Sequence, residues 1–201
     1  MGAQLDQGNA RATHDAALAT DARPLENPEG SAPSRTADAR RRRFALFIPV
    51  VVGWVLIDQL TKAYFNGSYQ AGQVITDPIA GIFRFHLVYN TGGAWSIFSG
   101  ETWALGAFSL VVCVALIVYL FVCARDASAG EAAGLALVVA GGIGNAIDRF
   151  ALGFVVDFIE PTFIDFPIFN VADIGVTCGF VIFFIALIVR ERAHSRKGGV
   201  K

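Results

Sequence analysis

The chain has 201 residues, 54% of them hydrophobic and only 16% charged, with a mean hydropathy of +0.53 and a net charge of −1. That composition excludes an ordinary water-soluble domain, because the apolar surplus has to face lipid. It leaves no broad basic field to recruit nucleic acid. Cys113, Cys123 and Cys178 are odd in number, lie inside apolar runs and lack ligand spacing. They read as small core or lipid-facing residues, not as a disulfide or metal set.

Residues 1–39 are rich in Ala, Asp, Arg, Gly, Pro and Thr and sustain no hydrophobic period, so they read as a disordered tail. The apolar stretch after Arg43 is too long for a removable signal and lacks a small-residue cleavage site, so it stays as an anchor. Apolar runs at 44–60, 103–123, 132–147 and 171–189 predict four membrane helices over about 44–62, 103–123, 130–148 and 171–189, since polar residues are tolerated at headgroup depth. The flanks on one side hold ten Lys and Arg, at 40–43, 125, 190, 192, 196, 197 and 201. The other side holds three, Lys62, Arg84 and Arg149. Basic residues resist translocation, so both termini are expected in the cytoplasm and the loops 61–102 and 148–173 outside.

Between the first two helices, "IFRFHLVYN" alternates Phe83, Phe85, Leu87 and Tyr89 with Arg84, His86, Val88 and Asn90, a period of two that predicts a strand. The preceding "QVITDPIAG" predicts a second strand and a turn around 77–81, which together make a small sheet on the outer membrane face. In "NTGGAW", Gly92 and Gly93 permit close backbone approach, and Trp95 suits the interface. Gly134, Gly141, Gly142 and Gly144 give the third helix a smooth surface for close helix packing or for a substrate helix.

The expected architecture is an all-α membrane protein with four transmembrane helices, a small β-sheet and an outer loop on the extracytoplasmic face. A membrane domain over 40–192 stands between the tail of 1–39 and a basic cytoplasmic tail at 193–201.

Ionisable residues at membrane depth are costly and usually partnered. Asp58 and Lys62, four apart, share a helix face and suit a simple ion pair. Asp148 and Arg149 are adjacent and each needs a partner elsewhere; Asn145, one turn earlier, can orient either. Asp157 follows in "GFVVDFIE", and Asp173 opens the fourth helix, where an aspartate is ordinarily a cap. Pro161 and Pro167 turn the chain back in an outer loop or short helix, so Asp157 and Asp173 can meet. Two carboxylates in a partly dry site share one proton, which equips them for aspartic-protease chemistry without a metal or other cofactor. A serine nucleophile, Ser68 or Ser96 with Lys62, has no supporting spacing.

Four stretches together, "DQLTK" at 58–62, "NTGGAW" at 90–95, "GNAIDR" at 144–149 continuing into "VVDFI" at 155–159, and "FNVAD" at 169–173, resemble the lipoprotein signal peptidases (signal peptidase II). These are aspartic peptidases of the bacterial inner membrane. The resemblance covers roughly 44–190 and departs slightly at Gly142 and Trp95, where alanine and phenylalanine are common. It implies that Asp157 and Asp173 are the catalytic pair and Asp148 a structural acid. Asp58, Lys62, Asn90, Gly92, Asn145, Arg149 and Asn170 support the site or its substrate. The implied substrate is a diacylglyceryl-modified prolipoprotein, cut just before its lipidated cysteine, with membrane lipids as the surrounding partner. The rival reading is a four-helix proton-coupled transporter or channel, which would need ionisable groups spread through the membrane depth.

Overall fold

A computed structural model of the chain describes residues 35–92, 100–124 and 126–198. Its elements are α1 (Arg35–Ser68), β1 (Phe83–Asn90), α2 (Thr102–Val118) ending in a π-helical turn (Tyr119–Cys123), α3 (Ala129–Ala151), β2 (Val155–Pro161) and α4 (Val171–Gly198). All four helices are long and apolar enough to cross a membrane. In hydrocarbon no water can satisfy a backbone N–H or C=O, so each apolar run has to close its own hydrogen bonds as helix.

The hub is α3, with 61% of its apolar window buried against 11%, 17% and 17% for the other three. Its glycines make this packing. A Cβ at Gly134 would run into the backbone of Gly179 and Phe183 on α4, and one at Gly141 into the Ala172 carbonyl. Gly142 sits against Cys113 and Ser109 of α2, and Gly144 against the Asp58 carboxylate of α1. The smooth surface is therefore filled by the protein's own helices, which leaves no groove there for a substrate helix. Ser128 and Glu131 start α3 with a reciprocal capping box.

Two helices outrun their apolar cores. The first helix begins at Arg35, inside the stretch expected to be tail, and α4 continues through most of 193–201 to Gly198. Beyond the bilayer, water satisfies the side chains, so arginine-rich ends extend a helix at little cost. Residues 1–34 and 199–201, together with Arg125 and Trp95, lie outside the described residues.

The sheet differs from expectation in its partner. "QVITDPIAG" contributes only isolated bridges, Val74 to His86 and Ile79 to Phe83. The strand that pairs with β1 is β2, antiparallel, with Arg84 opposite Glu160, Val88 opposite Asp157 and Asn90 opposite Val155. Pro78 has no N–H for a ladder, which disfavours a continuous strand in the earlier segment. The chain leaves α3 through Gly153 at φ 81°, a left-handed residue just past the helix end that turns it into β2. Leu87, Val156 and Phe158 pack under the sheet against Phe65 at the end of α1, whose ring stacks on Phe158 with centroids 4.1 Å apart.

Candidate active site

Asp157 sits mid-strand in β2, and Asp173 is the third residue of α4, with Asn170 just ahead of that helix. Asn170 caps it: the Asp173 N–H donates to Asn170 Oδ1 at 3.1 Å, and the Asn170 N–H donates back to Asp173 Oδ2 at 3.1 Å. Capping was the ordinary reading of Asp173, and it holds for one oxygen. The other, Oδ1, accepts from Asn145 Nδ2 at 2.8 Å. Asn170 also reaches the strand, donating to Asp157 Oδ1 at 2.7 Å. Asn90, diagonal to Asp157 on the same sheet face, donates to its Oδ2 at 3.0 Å. A single residue, Asn170, thus reaches both carboxylates, with its side-chain amide on Asp157 and its backbone N–H on Asp173.

Behind this pair lies a buried ionic cluster. Lys62 Nζ lies 2.9 Å from Asp58, 3.2 Å from Asp148 and 2.9 Å from Asn145 Oδ1, so its three N–H groups meet three acceptors. The expected two-residue ion pair is a three-residue one. Asp58 Oδ1 accepts the Ala172 N–H at 2.8 Å, which fixes the first turn of α4, and Asp148 Oδ2 accepts the Val156 N–H at 3.1 Å, which fixes β2 beside Asp157. Arg149 spans to the loop after β1, donating to the Gly92 carbonyl at 3.2 Å and to the Asn145 carbonyl at 3.3 Å. Gly92 is held by its own N–H on Asn90 Oδ1 at 2.9 Å.

Asn90, Asn145, Arg149, Asp157 and Asp173 line one cavity of about 120 Å³, walled on its apolar side by Val155 and the 166–169 loop. That is room for a few waters, or for a peptide carbonyl and one water. Burial, and after it the neighbouring Asp173 carboxylate, push Asp157 up from its usual 3.8 to about 7, against hydrogen bonds from Asn90 and Asn170 that favour the anion. Among the described residues neither Asp157 nor Asp173 forms an ion pair.

All ten residues singled out from the sequence fall into this one network. Two members escaped that reading. Gln59 Nε2 faces Asp58 at 3.1 Å, the Gly144 carbonyl at 3.2 Å and Asp148 at 3.0 Å, and Trp54 Nε1 donates to the Val171 carbonyl at 3.1 Å. Their signal was faint: a polar side chain next to Asp58, and an indole one turn earlier on the same helix. Glu160 belongs elsewhere, bound by Arg84 through two hydrogen bonds of 2.6 and 2.9 Å and by His86 at 2.8 Å; the Arg84 bonds hold its carboxyl below the usual range.

The serine alternative finds no geometry, since Lys62 is taken by its three acceptors, Ser68 is exposed at the end of α1 and Ser96 lies outside the described residues. For the transporter alternative, no Asp, Glu, Lys, Arg or His occurs at 44–57, 103–123, 132–147 or 174–189. Protons therefore have no relay of such groups between the two ends of the helices.

The sequence profile of the family described as signal peptidase (SPase) II matches residues 50–189. A lipoprotein signal peptidase of Latilactobacillus sakei is 36% identical over 151 residues, covering 73% of this chain and 97% of that protein. One from Lactococcus lactis subsp. lactis is 38% identical over 145 residues, covering 71% of this chain and 93% of its own. One from Nostoc punctiforme is 40% identical over 65% of this chain and 81% of its own. Among solved structures, a bacterial membrane enzyme obtained by the in meso method at 2.3 Å resolution is 32% identical with a TM-score of 0.64, covering 71% of this chain and 87% of that one. A second, at 1.9 Å, gives 32% and 0.62 over 70% and 91%. With the profile spanning most of the chain and the relatives matched over nearly their whole length, the chain belongs to the signal peptidase II family of bacterial membrane peptidases.

Proposed function

We propose that Asp157 and Asp173 are the catalytic pair of an aspartic endopeptidase that removes the signal peptide from prolipoproteins, cutting just before the diacylglyceryl-modified cysteine. The observation that carries this is the Asn170 bridge, which holds the two carboxylates side by side on a cavity large enough for a carbonyl and a water. Asp173, half-buried at the start of a helix, takes the role of base. Asp157, buried and raised to about 7, is suited to carry the proton.

Water gives a proton to Asp173 as its oxygen attacks the scissile carbonyl carbon, while Asp157 passes its proton to the carbonyl oxygen. The C–N bond then breaks as Asp173 delivers its proton to the leaving nitrogen, and the hydroxyl proton returns to Asp157. Arg149 and Gly92 hold the substrate-facing rim, Asn90, Asn145 and Asn170 orient the carboxyl groups, Asp58 and Lys62 brace α1, and Asp148 supports the strand.

Ten Lys and Arg on one side against three on the other support cytoplasmic termini and a site at the outer face. At that depth the acyl chains and signal segment of a lipidated precursor confine the scissile bond near the cavity, which supplies much of the positioning. The test is cleavage of a purified prolipoprotein by the protein in detergent, with and without diacylglycerol on the cysteine. The lipidated precursor is expected to be shortened and the bare one cut far more slowly; equal rates would remove the lipid from the reading.

A further inference from the structure

We propose that Lys62 is a positioning residue for the Asp157 and Asp173 pair, acting through the side-chain amide of Asn145, whose orientation it fixes; this rests on the reading of those aspartates as catalytic. Asn145 Oδ1 accepts from Lys62 Nζ at 2.9 Å and from Asn170 Nδ2 at 3.0 Å, while its Nδ2 donates to Asp173 Oδ1 at 2.8 Å. A side-chain amide turned end for end occupies nearly the same space, so its direction is set by its neighbours. An ammonium donates and never accepts. The turned amide would set its NH2 against Lys62 and its oxygen against the Asp173 carboxylate, two repulsive contacts where there are now two attractive ones.

Lys62 cannot yield to such a turn. Its other two N–H groups hold Asp58 and Asp148, and side chains of all three residues are 3% exposed or less. With Asn145 fixed, Asn170 is fixed too: one amide hydrogen goes to Asn145, the other to Asp157 Oδ1, and its oxygen accepts the Asp173 N–H. The charge on α1 thereby decides what each reactive carboxyl is offered. Were Asn145 reversed, Asp173 Oδ1 would face a carbonyl oxygen and could do so comfortably only when protonated. The base would then be unavailable to take a proton from water. Lys62 thus keeps an N–H donor, and never a carbonyl oxygen, on Oδ1 of each carboxyl.

The experiment compares Lys62→Met in an Asp58→Asn background with the unaltered protein and with that background alone; relative to the unaltered protein one cation and one anion leave together, so the cluster keeps its net charge of one negative, on Asp148. For correctly inserted protein in detergent, kcat on a diacylglyceryl prolipoprotein should fall about a hundredfold with KM unchanged, the cost of a misplaced catalytic group. Adding Asn145→Ala should lower kcat no further, because both changes break one relay. A kcat equal to the background, a rise in KM alone, or losses that multiply would overturn the proposal.

If the neutral pair does not insert, Lys62→Arg is read in its place. It keeps a cation for Asp58 and Asp148 but presents its donors on a rigid fork. The same loss, again hidden by Asn145→Ala, is expected, and full kcat would overturn the proposal. Asp157→Asn and Asp173→Asn are assayed alongside. Normal turnover by either discards the catalytic pair itself, whereas two dead variants beside active Lys62 variants discard only the role of Lys62.

Discussion

Two pairs of acids share one hydrogen-bonded network and are treated in opposite ways. Asp58 and Asp148 have an ammonium between them, whereas Asp157 and Asp173 share only the neutral N–H donors of Asn170, its side-chain amide on the first and its backbone N–H on the second. A cation placed between two buried carboxylates offsets their repulsion and turns them into tethers, here for the first turn of α4 and for β2. An amide cannot offset it, so the second pair is left to share a proton. The sign of the shared partner, more than burial, separates the acids that hold the site from the acids proposed to react.

Breaking the reactive pair should give the largest effect. Asp157→Asn and Asp173→Asn should each cut turnover by about a thousandfold or more while leaving insertion and helix content intact, measured by cleavage assay beside circular dichroism. Breaking the tethering pair should do the reverse. Asp148→Asn removes one partner of a buried ion cluster, a change that costs about 3–5 kcal/mol, and should appear as lower folded yield and a lower melting temperature. Normal folding with dead chemistry in Asp148→Asn would erase the distinction.

The comparison sharpens with pH. The folded protein holds the Asp157 proton up to about 7, against the usual 3.8, so as pH rises across that window the unfolded chain releases its proton first. The stability contributed by the bound proton is complete below about 4 and is lost as pH rises through about 7. If Asp157 donates that proton to the carbonyl oxygen as proposed, kcat/KM should also fall above about 7. A rate–pH profile with no alkaline limb near that value would place the proton elsewhere.

Glu160 should give the smallest effect. Its pairing with Arg84 and His86 lies on the partly exposed part of the sheet, so Glu160→Gln should leave turnover unchanged and stability nearly so, checked by the same assay and melt.

The sequence displays what is local. Four apolar runs, the period of two at 83–90 and the i,i+4 spacing of Asp58 and Lys62 all survive in the structure. The strand β2 was hidden because Val155, Val156, Asp157 and Phe158 are all buried, which erases the in-and-out alternation that marks a half-exposed strand. Nor could spacing reveal Asp148 as the third member of the Lys62 cluster, 86 positions away and brought there only by the packing of α1 on α3. Side-chain amides are the least legible of all. Asn170 was named only through the resemblance, and Asn145, expected to orient Asp148 or Arg149, instead turns its side chain to Lys62, Asn170 and Asp173 on other elements.

The Asn170 bridge also fixes when in its own biosynthesis the protein becomes a peptidase. The same residue starts the last helix and aligns the two carboxyl groups, so neither function exists before that helix has begun to wind. A nascent chain that has threaded three helices already contains Asp157, Asn145 and Lys62, yet it lacks both the second acid and the amide that sets its partner. On the proposed assignment such a half-made molecule holds only one of the two acids and cannot attack a peptide bond. On that assignment competence arrives with the final span, in one step.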